Sequence, residues 1–246
     1  MNLEGLDLLM DLISKAKYIV ALTGAGISTN AGIPDFRSPK GFYSQPEIPG
    51  EEVFDIGYFK KDPSLFYKHI GVFLEGFMKA EPTKGHLFLK KLEDLGKLKC
   101  IITQNVDGLH EKAGNSYVID VHGNFRNFFC MDCKTSVPLN EKILSEVKKK
   151  NVPKCKSCSG VLKPEVVFFG EPVHALEKAL TEVQKADLLI TLGTSLRVYP
   201  VAQLPSYIDK DAKLVIINRE ETPYDNRARL VIYDDIDTVA QKLGLL

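Results

Sequence analysis

Four cysteines stand as two pairs, Cys130-Met131-Asp132-Cys133 and Cys155-Lys156-Ser157-Cys158, with residues 134–154 between them. Each C-x-x-C turn aims two sulfurs at one point, and two such turns complete a tetrahedral four-thiolate zinc site. The gap of 21 residues slightly exceeds the usual spacing of about 15–20. With sulfur at every position no water can be activated, so this metal serves structure and the reaction lies elsewhere. Two alternatives stay open. The thiols could be unliganded in a reducing compartment, or one pair could be a redox dithiol, although redox chemistry needs only one pair. Cys100 lies in an apolar run and reads as a small buried hydrophobe.

A second centre gathers around Gly24-Ala25-Gly26-Ile27-Ser28, directly after the apolar run Tyr18–Leu22. The glycines allow the backbone to approach a pyrophosphate, and a following helix would present its N–H groups. Thr29 stands where a third glycine would complete G-x-G-x-x-G, and no acidic residue ends a second strand about 20 positions on. A generic strand–turn–helix junction therefore remains an alternative for the glycines alone. Gly193-Thr194-Ser195 after the run Leu188–Leu192, and Asn218 after Leu214–Ile217, add small polar groups at strand ends, where open α/β sheets bind ligands.

More polar groups fall just past other apolar runs. They are Gly32-Ile33-Pro34-Asp35-Phe36-Arg37, Gln104-Asn105-Val106-Asp107 and His122-Gly123-Asn124. His122 is the candidate base, because a neutral imidazole titrates near pH ~6.5 and accepts a proton at physiological pH. A structural histidine satisfied by the backbone is the alternative. His69, His86, His110 and His174 lie on helical patterns or beside them and read as surface, packing or capping residues.

The elements that must carry these groups are legible as periodicity. Leu6, Leu9, Met10 and Ile13 predict a helix over 3–15. Short apolar strands are expected at 18–22, 100–103, 118–121, 166–169, 188–192, 214–217 and 230–233. Helical stripes lie between several of them, one of Leu87, Phe88, Leu92 and Leu95 and another of Leu176, Ala179, Leu180 and Val183. This alternation predicts an α/β fold: a Rossmann-like parallel sheet with helices on both faces. Two excursions break it. Residues 39–83 are proline-rich and hold a helix starting near Asp62-Pro63, with Phe66, Ile70, Phe73, Leu74 and Phe77 on one face. Residues 125–163 hold the cysteine pairs and a lysine-rich helix around Ile143, Leu144 and Val147. The expected division is a nucleotide-binding domain of 1–38, 84–124 and 164–246, and a small domain of 39–83 with 125–163.

The chain has 246 residues, with 32 Lys plus Arg against 32 Asp plus Glu, so no global field favours nucleic acid or anionic lipid. No apolar run approaches the ~20 residues that cross a bilayer, and the first residues lack the positive region of a signal peptide. Thiols in metal spacing fit a reducing compartment. A cytoplasmic protein is expected.

Taken together, the segments Gly24–Ser28, Gly32–Arg37, Thr103–Asp107, His122-Gly123, the four cysteines, Phe168-Phe169-Gly170-Glu171 and Gly193–Ser195 resemble, in order and spacing, a compact prokaryotic sirtuin, a NAD-dependent protein-lysine deacylase. The resemblance runs from about residue 6 to the C-terminus. It implies NAD+ as co-substrate and a structural Zn2+. NAD would lie across the strand ends, with its pyrophosphate at Gly24, Ala25, Gly26 and Ser28. Ser195 and Asn218 would hold phosphate or adenosine ribose, and Gly193, Thr194, Gln104 and Ile236 would border the cofactor. Ile33 and Asp35 would grip the nicotinamide carboxamide. Phe36, with Arg37 beside it, would cover the ring. Family chemistry has the acyl oxygen attack the nicotinamide ribose. His122 would then take a ribose proton, Asn105 would orient ribose and water, and Asp107 would support the nicotinamide region. The products would be nicotinamide, free lysine and 2′-O-acyl-ADP-ribose.

The resemblance also implies acyl-lysine protein or peptide partners, bound as an added strand between 165–171 and 195–199. Val166, Phe168 and Val198 would line the lysine stem, with Gly170 and Glu171 beside the peptide. An apolar channel disfavours a charged ammonium and so selects the acylated form. Members that remove acidic acyl groups carry Tyr and, three residues on, Arg; here Tyr67 is followed by Ile70, which implies a preference for neutral acyl groups. A monomer without membrane or specific nucleic-acid partners is expected. Two other readings compete. One is an NAD-dependent ADP-ribosyltransferase using the same cofactor residues. The other is a non-catalytic zinc ribbon binding nucleic acid through Lys148, Lys149, Lys150, Lys154 and Lys156, which read more simply as a solvated face.

Overall fold

The computed structural model describes residues 3–35 and 41–244, which fall into two compact units. The larger comprises 1–32, 81–121 and 175–246; the smaller comprises 33–80 and 122–174. In chain order the strands are β1 (Ile19–Thr23), β2 (Leu98–Thr103), β3 (Val118–Asp120), β4 (Gly123–Cys130), β5 (Ser136–Pro138), β6 (Leu162–Val166), β7 (Leu188–Leu192), β8 (Lys213–Asn218) and β9 (Leu230–Tyr233). The helices are α1 (Leu3–Lys15), α2 (Ile56–Lys61), α3 (Ser64–Lys79), α4 (Lys84–Asp94), α5 (Leu109–Lys112), α6 (Glu141–Lys148), α7 (Leu176–Lys185) and α8 (Ile236–Lys242).

The larger unit is a six-stranded sheet in the order β3-β2-β1-β7-β8-β9, with every pair parallel. β1 and β7 are buried at all five positions, as continuous apolar runs must be when helices cover both faces. Ile19, Ala21, Leu188, Ile190 and Leu192 from these strands join Leu9, Ile13, Phe88, Leu89, Leu92, Val215, Ile217 and Val239 in one core. Two stripes turn out rotated. On α1 Leu9 and Ile13 are buried while Met10 is exposed, and on α4 Gly85, His86, Phe88, Leu89 and Leu92 are buried while Leu87 and the following Leu95 face solvent. Gly85 explains the second case. A Cβ there would sit 2.7 Å from Ile236 Cγ2, so α4 approaches the start of α8 along that edge.

The smaller unit is a three-stranded sheet, β5-β4-β6, with both pairs antiparallel. Its core is aromatic. Phe54, Phe59, Phe66 and Phe168 meet with ring centroids 5.1–5.7 Å apart, and Phe42, Phe73, Phe77 and Phe125 extend the chain of contacts. The five apolar residues expected on one face of α3 are all buried. Lys148, Lys149, Lys150, Lys154 and Lys156 are exposed, in keeping with a solvated face.

The run expected as a parallel strand at 166–169 is a correction. The strand is Leu162–Val166, it pairs antiparallel with β4, and residues 164–174 belong to the smaller unit, as do 33–35 and 122–124. Val167 and Phe169 instead bond outside the ladder, Val167 N–H to His122 O and Phe169 N–H to Phe54 O. Residues 81–83 belong to the larger unit, because Thr83 caps α4 and its hydroxyl donates to Ile27 O at 3.0 Å.

Candidate active site

In the larger unit the strand order reverses at β1, which has β2 on one side and β7 on the other. A parallel sheet binds ligands at the carboxyl ends of its strands, at such a reversal. The residues that follow β1, β2 and β7 converge there. Gly24 N–H donates to Leu192 O at 3.1 Å and Gly26 N–H to Gly193 O at 2.9 Å. Cβ atoms on Gly24 and Gly26 would lie 2.8 and 2.6 Å from the Gly193 backbone. The glycines are thus required first by the packing of two loops, a reason that spacing alone does not reveal.

The helix expected after this turn is replaced by two short 3-10 turns, Ala25–Ile27 and Thr29–Ala31. Side chains that bond locally favour turns over helix. Ser28 and Asn30 are both engaged with other segments, and Thr29 Oγ1 bonds back to Gly26 O. Ser28, fully buried, donates to Asp107 Oδ2 at 2.7 Å and accepts from Asn105 Nδ2 at 3.1 Å. Asn105 Nδ2 also reaches Gly24 O at 3.1 Å, and Asp107 Oδ1 accepts Leu109 N–H at 2.9 Å. Burial pushes the Asp107 carboxyl above its ordinary value, against these hydrogen bonds. Gln104 Nε2 donates to Thr194 Oγ1 at 2.9 Å. The structure therefore joins Gly24, Gly26, Ser28, Gln104, Asn105, Asp107, Gly193 and Thr194 in one bonded cluster, with Ala25 in the same turn and Ser195 next in chain. Asn218 ends β8 beside it and spends its amide on Glu220 O at 2.8 Å. Ile236 is a core residue, 6% exposed and packed on Gly85.

Sequence reasoning gave no role to Thr23 and Thr103, which lie behind this cluster, and read His86 and His110 as surface, packing or capping residues. Thr103 Oγ1 accepts from Asn105 N at 3.1 Å and from Thr23 Oγ1 at 2.9 Å, and Thr23 shares a hydrogen bond of 2.9 Å with His110 Nε2. His110 and His86 are both buried with ring centroids 4.7 Å apart. The Thr-x-x-His spacing from Thr83 to His86 was the available signal, since position N3 of a capping box reaches back to the cap.

In the smaller unit His122 directly follows Val121, whose N–H extends the ladder to Thr103 O, and its own carbonyl accepts Val167 N–H at 2.8 Å. Gly123 has φ +71°, and a Cβ there would stand 1.8 Å from Glu165 O, so the residue after His122 must be glycine. Ile33 is buried and Asp35 half-buried, with Asp35 O bonded to Phe42 N at 2.7 Å. Phe36 and Arg37 lie outside the described residues.

The residues expected around the lysine stem lie in different surroundings. Val166 is buried at the end of β6, but Phe168 is 1% exposed and is a core ring of the aromatic cluster. Gly170 is exposed, and Val198, half-buried, belongs to the larger unit. Glu171 turns to the protein: it pairs with Lys163 at 2.8 Å and accepts Phe168 N–H at 2.8 Å.

The four cysteine Sγ atoms lie within 4.8 Å of one another, with Cys130–Cys158 at 3.4 Å and Cys133–Cys155 at 3.8 Å. Zinc–sulfur bonds of about 2.3 Å put tetrahedral sulfurs about 3.8 Å apart, so the set fits the ion. Their surroundings act on the thiols in opposite directions. The Thr135 hydroxyl and N–H pull Cys133 down to about 6, and the Ser157 and Cys158 N–H groups lower Cys155. Cys158 is pushed up to about 12 by the Cys130 and Cys133 sulfurs, despite a hydrogen bond from Gly160 N–H. Four sulfurs this close together suit one cation between them.

The Sir2 family model matches residues 24–200. The chain belongs to the Sir2 family. Among its relatives is the NAD-dependent protein deacetylase of Saccharolobus solfataricus, 42% identical over 235 residues that cover 95% of this chain and 93% of that one. Another is the NAD-dependent protein deacetylase of Thermotoga maritima, 39% identical over 237 residues and 95% of each chain. Two solved Sir2 structures match the whole fold. A Sir2–p53 peptide–NAD+ complex has TM-score 0.87 and 38% identity, covering 97% of this chain and 96% of that chain. Sir2Tm bound to a propionylated peptide has TM-score 0.88 and 37% identity, covering 98% and 99%. Among the described residues no helix is long and apolar enough to cross a membrane.

Proposed function

We propose that this Sir2 chain is an NAD-dependent protein-lysine deacylase acting on neutral acyl groups, with His122 as its general base. The bonded cluster of Ser28, Asn105 and Asp107 at the sheet reversal carries the reading, because it fixes polar groups where a parallel sheet receives a nucleotide. Relatives named for the same activity, about 40% identical over nearly the whole chain, support it.

NAD+ supplies an electrophilic ribose carbon and a nicotinamide leaving group. The chain's own groups do the rest. The turn Gly24, Ala25, Gly26 and Ser28 takes the pyrophosphate, with Gln104, Gly193, Thr194, Ser195, Asn218 and Ile236 around the adenosine half. Ile33, Asp35, Phe36 and Arg37 hold the nicotinamide end. Asn105 is oriented through Gly24 O and Ser28 Oγ, so its side-chain oxygen has one direction in which to receive a hydroxyl or water. His122 takes the ribose proton, and Gly123 sets the turn that presents it. Asp107 acts through Ser28, whose hydroxyl it fixes at 2.7 Å.

Acyl-lysine peptides are the partners; Val166, Gly170 and Val198 are the residues proposed to meet them, while Phe168 lies in the aromatic core and Glu171 pairs with Lys163. The N–H groups of Val167, Phe169 and Glu171 already donate within the smaller unit, so peptide pairing there cannot use these three. Tyr67 and Ile70 are fully buried, and the Tyr67 hydroxyl donates to Leu162 O; neither offers a cation to an acidic acyl group. The zinc holds the smaller unit, and the reading takes the protein as a cytoplasmic monomer. Acetyl- and succinyl-lysine peptides with and without NAD+, followed by mass spectrometry, test it. Loss of acetyl only with NAD+, and faster than loss of succinyl, is expected. A peptide or protein that gains ADP-ribose while keeping its acyl group would identify a transferase instead.

A further inference from the structure

We propose that Lys163 is a positioning residue for deacylation: its buried ion pair with Glu171 sets the 166–171 segment and, through Val167, the backbone of His122. The inference deepens the function proposed above and rests on it.

Lys163 is 1% exposed, an unusual place for an ammonium. Its Nζ donates to Val166 O at 2.7 Å and to Glu171 Oε2 at 2.8 Å, with Pro164 O at 3.4 Å. It sits 4.0 Å above the centroid of the Phe168 ring and 5.3 Å from that of Phe129. Glu171 Oε2 also accepts Phe168 N–H, and Glu171 N–H donates to Phe168 O at 3.0 Å. One cation thus ties the carbonyl that ends β6 to a carboxylate five residues later, closing 166–171 into a fixed loop. Val167 lies inside that loop, and its N–H holds His122 O at 2.8 Å. On the other side, a Gly123 Cβ would strike Glu165 O, so the His122 turn has no room to shift independently of this loop.

Stability alone does not call for such an arrangement. Burying two charges costs about as much desolvation as their attraction returns, and an apolar side chain of equal volume in an aromatic core commonly does as well. What the pair adds is direction: an ammonium aimed at fixed acceptors, beside an aromatic core whose ring contacts are non-directional. A displacement of ~1 Å at a catalytic group costs on the order of a hundredfold in rate, so a device that fixes the His122 backbone has a kinetic effect larger than its effect on folding.

The test uses the full-length, zinc-loaded protein as wild type, Lys163→Met, Glu171→Gln and the double variant. Deacetylation of an acetyl-lysine peptide is measured with peptide and NAD+ titrated separately, beside thermal unfolding. Lys163→Met is expected to lower kcat/KM for the peptide about ten- to a hundredfold, with KM for NAD+ changed less than about twofold. Glu171→Gln should show the same pattern, and the double variant should be no worse than the poorer single, as for one coupled device. If Lys163→Met does not fold, Glu171→Gln carries the test, because its side chain is 22% exposed and can change without opening the core. Peptide kinetics equal to wild type in the folded variants, even with lowered melting temperatures, would overturn the positioning role. Losses that multiply in the double variant would also overturn it. A wild type that removes no acetyl group removes the parent reading, a distinct result.

Discussion

Replacing His86 with Gln should flatten the acid limb of the stability curve. In the fold the ring is fully buried, and its Nε2 has no hydrogen-bond partner among the described residues. Burial pushes it down to about 4 from 6.5, against a raising pull from Asp237. The neighbouring His110 is also held well below 6.5, by burial and then by His86. The unfolded chain therefore takes up a proton near pH 6.5 that the folded chain refuses until about pH 4. Above 6.5 both states are neutral and nothing is lost; as pH falls through this window stability falls, and the loss is complete below about 4. Each pH unit of separation is worth about 1.4 kcal/mol, so His86 alone accounts for about 3 kcal/mol. In a chain of this size that is roughly 6–12 °C of melting temperature. Gln at the same capping-box position can still accept Thr83 N–H but does not titrate. Thermal unfolding of both proteins from about pH 4 to 7 measures the difference. Loss of zinc at low pH acts equally on both and cancels. Parallel curves would refute the reasoning, because they would mean that the buried imidazole is not the titrating group.

Other consequences follow from the same contacts. Gly123→Ala should cost at least about 1–3 kcal/mol from steric overlap with Glu165 O and nearly abolish deacylation, measured by denaturant titration and peptide turnover; near-normal turnover would show that the His122 turn is not constrained. Metal analysis should find one zinc per chain, and Cys130→Ser or prolonged chelation should remove it and unfold the smaller unit, read by loss of tertiary circular dichroism; a metal-free protein of unchanged stability would contradict a structural ion. Gly26→Ala should weaken NAD+ binding through displacement of the Gly193 loop, seen by calorimetry as a raised Kd; an unchanged Kd would contradict that packing.

The sequence disclosed most of the larger unit because its strands are continuous apolar runs and its helices follow in alternation, a pattern that a parallel sheet imposes. The cysteine pairs were equally plain, since ligand spacing is local. What was hidden is non-local. Val166–Phe169 is apolar enough to be a sheet strand, and only the pairing of Leu162–Val166 with β4 and the bonds of Val167 to His122 and Phe169 to Phe54 show that it belongs to the other unit. Gly24 and Gly26 suggest room for a phosphate, whereas the contact that excludes a side chain comes from Gly193, some 170 positions away. Lys163 reads as one lysine among 32 basic residues, and it is buried against a carboxylate that the family resemblance had assigned to substrate.

Comparing wild type with His122→Ala tests the central claim most directly, by counting acetyl groups removed from a lysine peptide per NAD+ consumed. The account predicts one acetyl lost per NAD+ in the wild type and a rate about 10²–10⁴ lower in the variant, with NAD+ affinity kept. Equal deacetylation rates in the two proteins would contradict it.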